Sequence, residues 1–254
     1  MRTRSVKRFE GKVAIITGSA QGMGKQVALD MTAEGAKVSI SDILPDLLEE
    51  TKKEIEDTGG ECLSLICDIT DRNQVDEMVD KTVKTFGTVD ILINNAGLLI
   101  PATIEETTDE LIDRTIDINL KGVLYAIRAV TPIMKAKRYG RIVNVSSITG
   151  KRGDNTTTFA YGASKGAVIT LTRSTARALG PYGITCNGIA PHAVLTNLMR
   201  HWDEAKKKEV ADKIPLKRLG TVEDMSCLMM FLASDEASFI TGETININGG
   251  YYMD

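Results

Sequence analysis

Two histidines, four cysteines and aromatics at 5% are the scarce features of this 254-residue chain, and each scarcity excludes something. With only His192 and His201 available, most histidine-based metal sites cannot be assembled. Cys62, Cys67, Cys186 and Cys227 form no C-x-x-C pair, so they are expected as reduced thiols and no metal is expected. Few aromatics argue against a stacking platform for single strands. Basic residues number 31 and acidic ones 34, a net charge of −3 that provides no basic footprint for nucleic acid and no polybasic membrane surface. No apolar run approaches the roughly 18 residues of a membrane span. Arg2, Arg4, Lys7 and Arg8 precede no apolar stretch, so no secretory signal is expected and the expected location is cytoplasmic. No repeat, low-complexity tract or proline-rich linker marks a domain boundary.

What the chain does have is glycine, 22 residues of it, and a repeated alternation of short apolar runs with longer amphipathic stretches. The runs are Val13–Thr17, Val38–Ser41, Leu63–Cys67, Val89–Asn94, Arg141–Ser146, Thr185–Ile189 and Thr244–Ile247. Several are apolar throughout rather than alternating, the pattern of strands buried on both faces of a parallel sheet. Helical patterns lie between them at roughly 23–35, 45–58, 71–86, 108–137, 161–180 and 221–234. This alternation predicts right-handed βαβ units and one doubly wound α/β domain over 1–254. Residues 192–216 break the rhythm and are expected to form a lid over the substrate.

The first run leads into Thr17-Gly18-Ser19-Ala20-Gln21-Gly22-Met23-Gly24 and then a helix. In such a fold the first helix N-terminus offers free N–H groups and a positive dipole end to a pyrophosphate. Gly18 suits the tight turn, Gly22 the approach of a phosphate, and Gly24 the packing of helix on strand. The spacing is G-x-x-x-G-x-G rather than G-x-G-x-x-G. The second run ends in Asp42, whose carboxylate can accept from both adenosine ribose hydroxyls and would repel a 2′-phosphate. Position 21 is Gln and Ser41 is not basic, so NAD is favoured over NADP.

The helix near 161 opens Tyr161-Gly-Ala-Ser-Lys165. Positions i and i+4 share a helix face, so phenol and ammonium can point into one cleft. A free tyrosine, with pKa near 10, is too weak a base at neutral pH, and a neighbouring cation lowers that value. Tyr161 thereby becomes a candidate acid/base for a hydroxyl or carbonyl oxygen. The fifth run ends at Ser146-Ser147, at the same sheet edge, where a hydroxyl could hold the reacting oxygen.

Together with Asn94-Asn95-Ala96-Gly97, this set resembles the short-chain dehydrogenase/reductase family over about residues 9–252. The resemblance implies a Rossmann-type, mainly parallel seven-stranded sheet with helices on both faces, hydride transfer with nicotinamide, and a homotetramer. It assigns Tyr161 as general acid/base, Lys165 as the group that tunes Tyr161 and binds the nicotinamide ribose, and Ser147 as the holder of the substrate oxygen. Asn119 would maintain a proton relay through Lys165. Asp68 would cap the adenine amine, Asn95 and Gly97 would lie beside the adenosine ribose, and Thr196 would contact the carboxamide. Gln21, Met23 and Ile69 complete the implied cofactor set.

Two departures stand out. The loop between Ser147 and Tyr161 is one residue longer than in many relatives and is polar, with Lys151, Arg152, Asp154, Asn155 and three threonines. The usual Pro-Gly after the sixth run is Pro191-His192, where a side chain either reaches nicotinamide or substrate, or faces solvent.

The expected function is NAD-dependent interconversion of a secondary alcohol and a ketone, on a small molecule of hydroxysteroid, polyol or cyclic-alcohol type. The alternatives are an NADPH-dependent 3-oxoacyl-thioester reductase and a non-catalytic nucleotide-binding protein.

Overall fold

Seven strands pair in the order β3-β2-β1-β4-β5-β6-β7, every pairing parallel. They are β1 (Val13–Thr17), β2 (Lys37–Asp42), β3 (Cys62–Ile66), β4 (Ile91–Asn94), β5 (Gly140–Val145), β6 (Ile184–Pro191) and β7 (Thr244–Ile247). The computed structural model describes residues 7–153, 159–199 and 202–254. Arg2 and Arg4, residues 154–158 of the polar loop, and His201 of the expected lid lie outside them.

Side chains alternate across a strand, so a sheet covered on both faces needs apolar residues at consecutive positions. In β1, Ala14 and Ile16 join one core and Ile15 the other. The first core packs under α1 (Gly22–Ala33), α2 (Pro45–Asp57) and α9 (Val222–Ala233). The second packs under α3 (Arg72–Phe86), α5 (Gly122–Lys137) and α7 (Phe159–Leu179). Because the sheet is parallel, all its carboxyl ends open on one edge, where the cleft described below lies.

The run at 108–137, read as one helix, is three elements: α4 (Asp109–Ile116), a π turn Asp117–Lys121, and α5. The extra residue of the π turn rotates Asn119 inward, where it is fully buried. Two short helices also lie where the sequence has no strong apolar period. α6 (Thr149–Arg152) follows Ser147, and α8 (Glu204–Lys213) occupies the excursion after β6 and buries no residue completely. Among the described residues, no helix is long and apolar enough to cross a membrane.

A buried polar chain ties β4, β5 and α7 together. Asn94 Nδ2 donates to Asn144 Oδ1 at 2.8 Å, and Asn144 Nδ2 donates to Thr172 Oγ1 at 3.0 Å. Truncating a member leaves its partners buried and unpaired, which costs about 1–3 kcal/mol. Asn144→Ala is therefore expected to fold but to lose stability on that scale, read as a lower urea midpoint at an unchanged m-value.

Candidate functional site

The glycine turn between β1 and α1 is shaped by contacts that leave no room for side chains. Gly18 has φ +65°, and a Cβ on it would come 2.7 Å from Ala96 Cα. A Cβ on Gly24 would lie 2.3 Å from the Gly18 carbonyl oxygen. Asn95 holds the turn from the next strand, its Nδ2 donating to Thr17 O (3.1 Å) and Gly18 O (2.8 Å). At Gly22 a Cβ would meet nothing nearer than 3.7 Å, so that face is open. The first turn of α1 has neither a side-chain cap nor an acidic residue, so its N–H groups and dipole remain available to an anion.

These amides open into a cleft of about 680 Å³ along the carboxyl edge of the sheet. Gly18, Gln21, Gly22, Met23, Asp42, Asp68, Ile69, Asn95, Gly97 and Thr196 line it together. Gly24, Tyr161 and Lys165 do not. Gly24 is behind the turn, while a Cβ added to Gly97 would come 3.3 Å from Lys165 Nζ, so the cleft ends against the Lys165 region. An open uncapped helix start, a Gly-lined turn and an acid at the tip of β2 together fit an elongated dinucleotide.

Asp42 is fixed by two backbone donors, Ala20 N at 3.1 Å and Ile43 N at 2.8 Å. It does not cap α2, whose N-cap is Leu44. The cleft wall next to it in the chain is Ser41, Ile43 and Leu44, none of them basic, and among the described residues Arg114 is the one basic residue lining the cleft. Asp68 lies at the same end, its Oδ1 accepting from Thr70 N (2.9 Å) and Thr70 Oγ1 (2.8 Å).

Ser147, Tyr161 and Lys165 meet at the end of β5. Ser147 hydrogen-bonds Tyr161, and Ser147 Oγ also accepts from Thr149 N at 3.1 Å. Ser146 has a different duty, donating to the Lys165 carbonyl at 2.8 Å, so it secures α7 and leaves Ser147 facing the phenol. Lys165 Nζ donates to Val145 O at 2.9 Å and lies 5.8 Å from the Tyr161 ring centroid. Burial pushes the Lys165 ammonium down to about 8. Burial raises the Tyr161 phenol above its usual value and the Ser147 hydrogen bond opposes that rise; the expected lowering by Lys165 does not enter. A protonated phenol is thus poised to donate.

Asn119 braces this group through its side chain. Its Oδ1 accepts from Leu98 N (2.7 Å), and its Nδ2 donates to Leu98 O (2.9 Å) and to Ser164 Oγ (3.2 Å). Ser164 Oγ in turn donates to the Tyr161 carbonyl at 2.7 Å. Ser164 is a residue that sequence reasoning missed; its only signal was its place inside Tyr161-x-x-x-Lys165. Arg114 and Asn197 were also missed on the cleft wall. Asn197 Nδ2 donates to Gln21 Oε1 at 2.6 Å, joining the excursion after β6 to the glycine turn.

His192 lines a hollow of about 370 Å³ with Ile214, Leu219 and Asn248, separate from the cleft that Gly18, Gly22 and Asp42 line. Its ring stacks on Tyr251, centroids 3.9 Å apart and planes 15° from parallel.

Comparison with known proteins agrees with this architecture. The family described as enoyl-(acyl carrier protein) reductase matches residues 18–252. A 3-oxoacyl-(acyl-carrier-protein) reductase of Thermotoga maritima is 40% identical over 243 residues, covering 96% of this chain and 98% of that protein. The crystal structure of a 3-oxoacyl-(acyl-carrier protein) reductase from Brucella melitensis superposes with TM-score 0.93 at 31% identity, over 99% of this chain and 95% of that one. Levodione reductase superposes with TM-score 0.91 at 34% identity, over 95% and 98% of the two chains. With the glycine turn, the serine-tipped strand and the Tyr161–Lys165 pair in one site, the chain belongs to the short-chain dehydrogenase/reductase family of oxidoreductases.

Proposed function

We propose that this chain reduces the ketone of a 3-oxoacyl thioester to the alcohol, with NADH as the hydride donor. The buried Ser147–Tyr161 hydrogen bond carries the reaction type, because it presents two hydroxyls to one carbonyl oxygen. The substrate class is supported by the names of the similar reductases from Thermotoga maritima and Brucella melitensis. It therefore displaces the hydroxysteroid, polyol or cyclic-alcohol expectation. Asp42, with Ile43 and Leu44 beside it, supports NADH over NADPH. A second reading, NAD-dependent interconversion of another secondary alcohol and ketone, is favoured by the similarity to levodione reductase.

The amides at Gly18–Gly22 would hold the pyrophosphate of a nicotinamide dinucleotide and Asp42 its adenosine ribose, and the bound dinucleotide would supply the hydride for the carbonyl carbon. The proton comes from this chain. Ser147 Oγ donates a hydrogen bond to the substrate's ketone oxygen and fixes its position. Tyr161 Oη, protonated at neutral pH, then gives its proton to that oxygen as the carbon is reduced. Lys165 stabilises the phenolate left behind and, with the substrate gone, Tyr161 is reprotonated from water. Asn119 and Ser164 keep the Tyr161 turn in register with Leu98.

Three outcomes test this reading. Tyr161→Phe should bind NADH normally in calorimetry yet lose about a hundredfold in kcat for acetoacetyl-CoA reduction, the scale of lost proton transfer; near-wild-type turnover overturns the assignment. Asp42→Ala should lower the ratio of kcat/KM with NADH to that with NADPH by about tenfold, equivalent to about 1.4 kcal/mol. Reduction needs the protonated phenol, which burial holds above its usual value, so its kcat should stay level through neutral pH and fall only as Tyr161 ionises. Oxidation of the 3-hydroxyacyl thioester needs the phenolate and should rise with pH over the same range.

A further inference from the structure

After the sixth-strand proline this chain carries His192, and the structure assigns that side chain a mechanical task. We propose that His192 is a positioning residue for the substrate side of the cleft, acting through a clasp it forms with Tyr251.

The segment Tyr251–Asp254 is tied to three parts of the molecule that frame the catalytic edge. The first is the end of β6, through the His192–Tyr251 stack. The second is α6, directly after Ser147. Lys151 Nζ pairs with Asp254 Oδ2 at 2.6 Å, with the Lys151 side chain only 10% exposed, and the Arg152 guanidinium lies 5.1 Å from the Tyr251 ring centroid. The third is the end of β7, where Asn246 Nδ2 donates to Asp254 Oδ1 (2.6 Å) and Asn248 Nδ2 to Tyr252 O (2.9 Å).

Tyr251 also packs against the small apolar cluster of Ala193, Ile214 and Leu219, which includes Trp202 of the excursion after β6. That excursion carries Thr196 and Asn197 into the cleft. Removing the His192 ring would unstack Tyr251, and α6 and the excursion would lose their shared anchor. Pro191 O still accepts from Ile148 N at 3.0 Å, so the strand ends themselves would stay paired. The consequence falls mainly on how the substrate is held, because Tyr161 and Lys165 are fixed by their own contacts with Ser147 and with Val145 O at the end of β5. An aromatic stack is worth about 0.5–1.5 kcal/mol, so the expected change is about twofold to tenfold.

The test compares His192→Gly, His192→Phe, Tyr251→Ala and the double variant His192→Gly/Tyr251→Ala in the full chain. With NADH saturating and acetoacetyl-CoA as the probe, His192→Gly should raise KM about twofold to tenfold while kcat holds within about twofold. His192→Phe, which keeps a stacking ring, should restore KM. Tyr251→Ala should reproduce the glycine effect, and the double variant should be no worse than either single one, because both break one contact. An unchanged KM in His192→Gly, a loss confined to kcat, failure of the Phe rescue, or additive effects each overturn the proposal. The magnitude rests on the thioester reading above; the clasp has its own readout. Trp202 is the only tryptophan, so its emission should shift red in His192→Gly and Tyr251→Ala and return in His192→Phe. Digestion from the C-terminus by carboxypeptidase should accelerate and recover in the same order. If no variant or wild type reduces acetoacetyl-CoA, the thioester reading fails while these two measurements still decide the clasp. Should His192→Gly not fold, the pair Tyr251→Ala and His192→Phe decides it: loosening in the first and wild-type behaviour in the second support it, and any other pattern overturns it.

Discussion

Beneath the carboxyl end of β5 a lysine ammonium has been taken out of water, and the geometry of the site follows from how it is accommodated. Lys165 Nζ donates to one carbonyl, Val145 O, and burial pushes its pKa down to about 8. A buried cation is costly unless its hydrogen-bonding needs are met, so α7 can occupy few positions over the sheet. Ser146 narrows these further by donating to the Lys165 carbonyl, and Asn144 by donating to Thr172 one helical stretch further on. Only in this register does Ser147 face Tyr161. A one-residue slip of β5 would present the wrong hydroxyl, because successive strand residues point to opposite faces.

The other end of the cleft follows a different constraint, the supply of backbone donors. Among the helices that follow the strands, α3 and α9 have side-chain caps, from Asp71 and Thr221, whereas α1 leaves its first turn uncapped and free of acid. The turn that aims those donors is held by Asn95, reaching across from β4, and by Asp42, accepting from Ala20 N. The Asp42 carboxylate thereby helps shape the glycine turn and also puts a negative charge on the cleft wall.

A further set of segments lies outside the sheet: α6 is tied to Tyr251–Asp254, Tyr251 packs on the excursion after β6, and that excursion reaches the glycine turn through Asn197. The end of β5 and the start of α7 position Ser147, Tyr161 and Lys165, while loops carry the neighbouring walls, a division common to this architecture. Relatives that share the sheet at 31–40% identity can therefore bear different substrate names.

Most of the architecture was legible in the residues. Runs such as Val13–Thr17 and Arg141–Ser146 are apolar at consecutive positions because both faces of the sheet are covered, and the glycine spacing after β1 marks a turn with no space for side chains. Ten of the expected cofactor residues line one cleft for the same reason: they stand at strand ends, and parallel strands end together. The π turn at Asp117–Lys121 was not legible, since 108–137 keeps a helical period while one extra residue turns Asn119 inward. The choice between Ser146 and Ser147, the structural use of Asn94, the Asn119–Ser164–Tyr161 brace and the place of His192 were decided only in three dimensions. Periodicity and spacing record which face of an element is buried and where it turns. A side chain's partner from 45 residues away, as with Asn119 and Ser164, is determined only when packing brings the two elements into register.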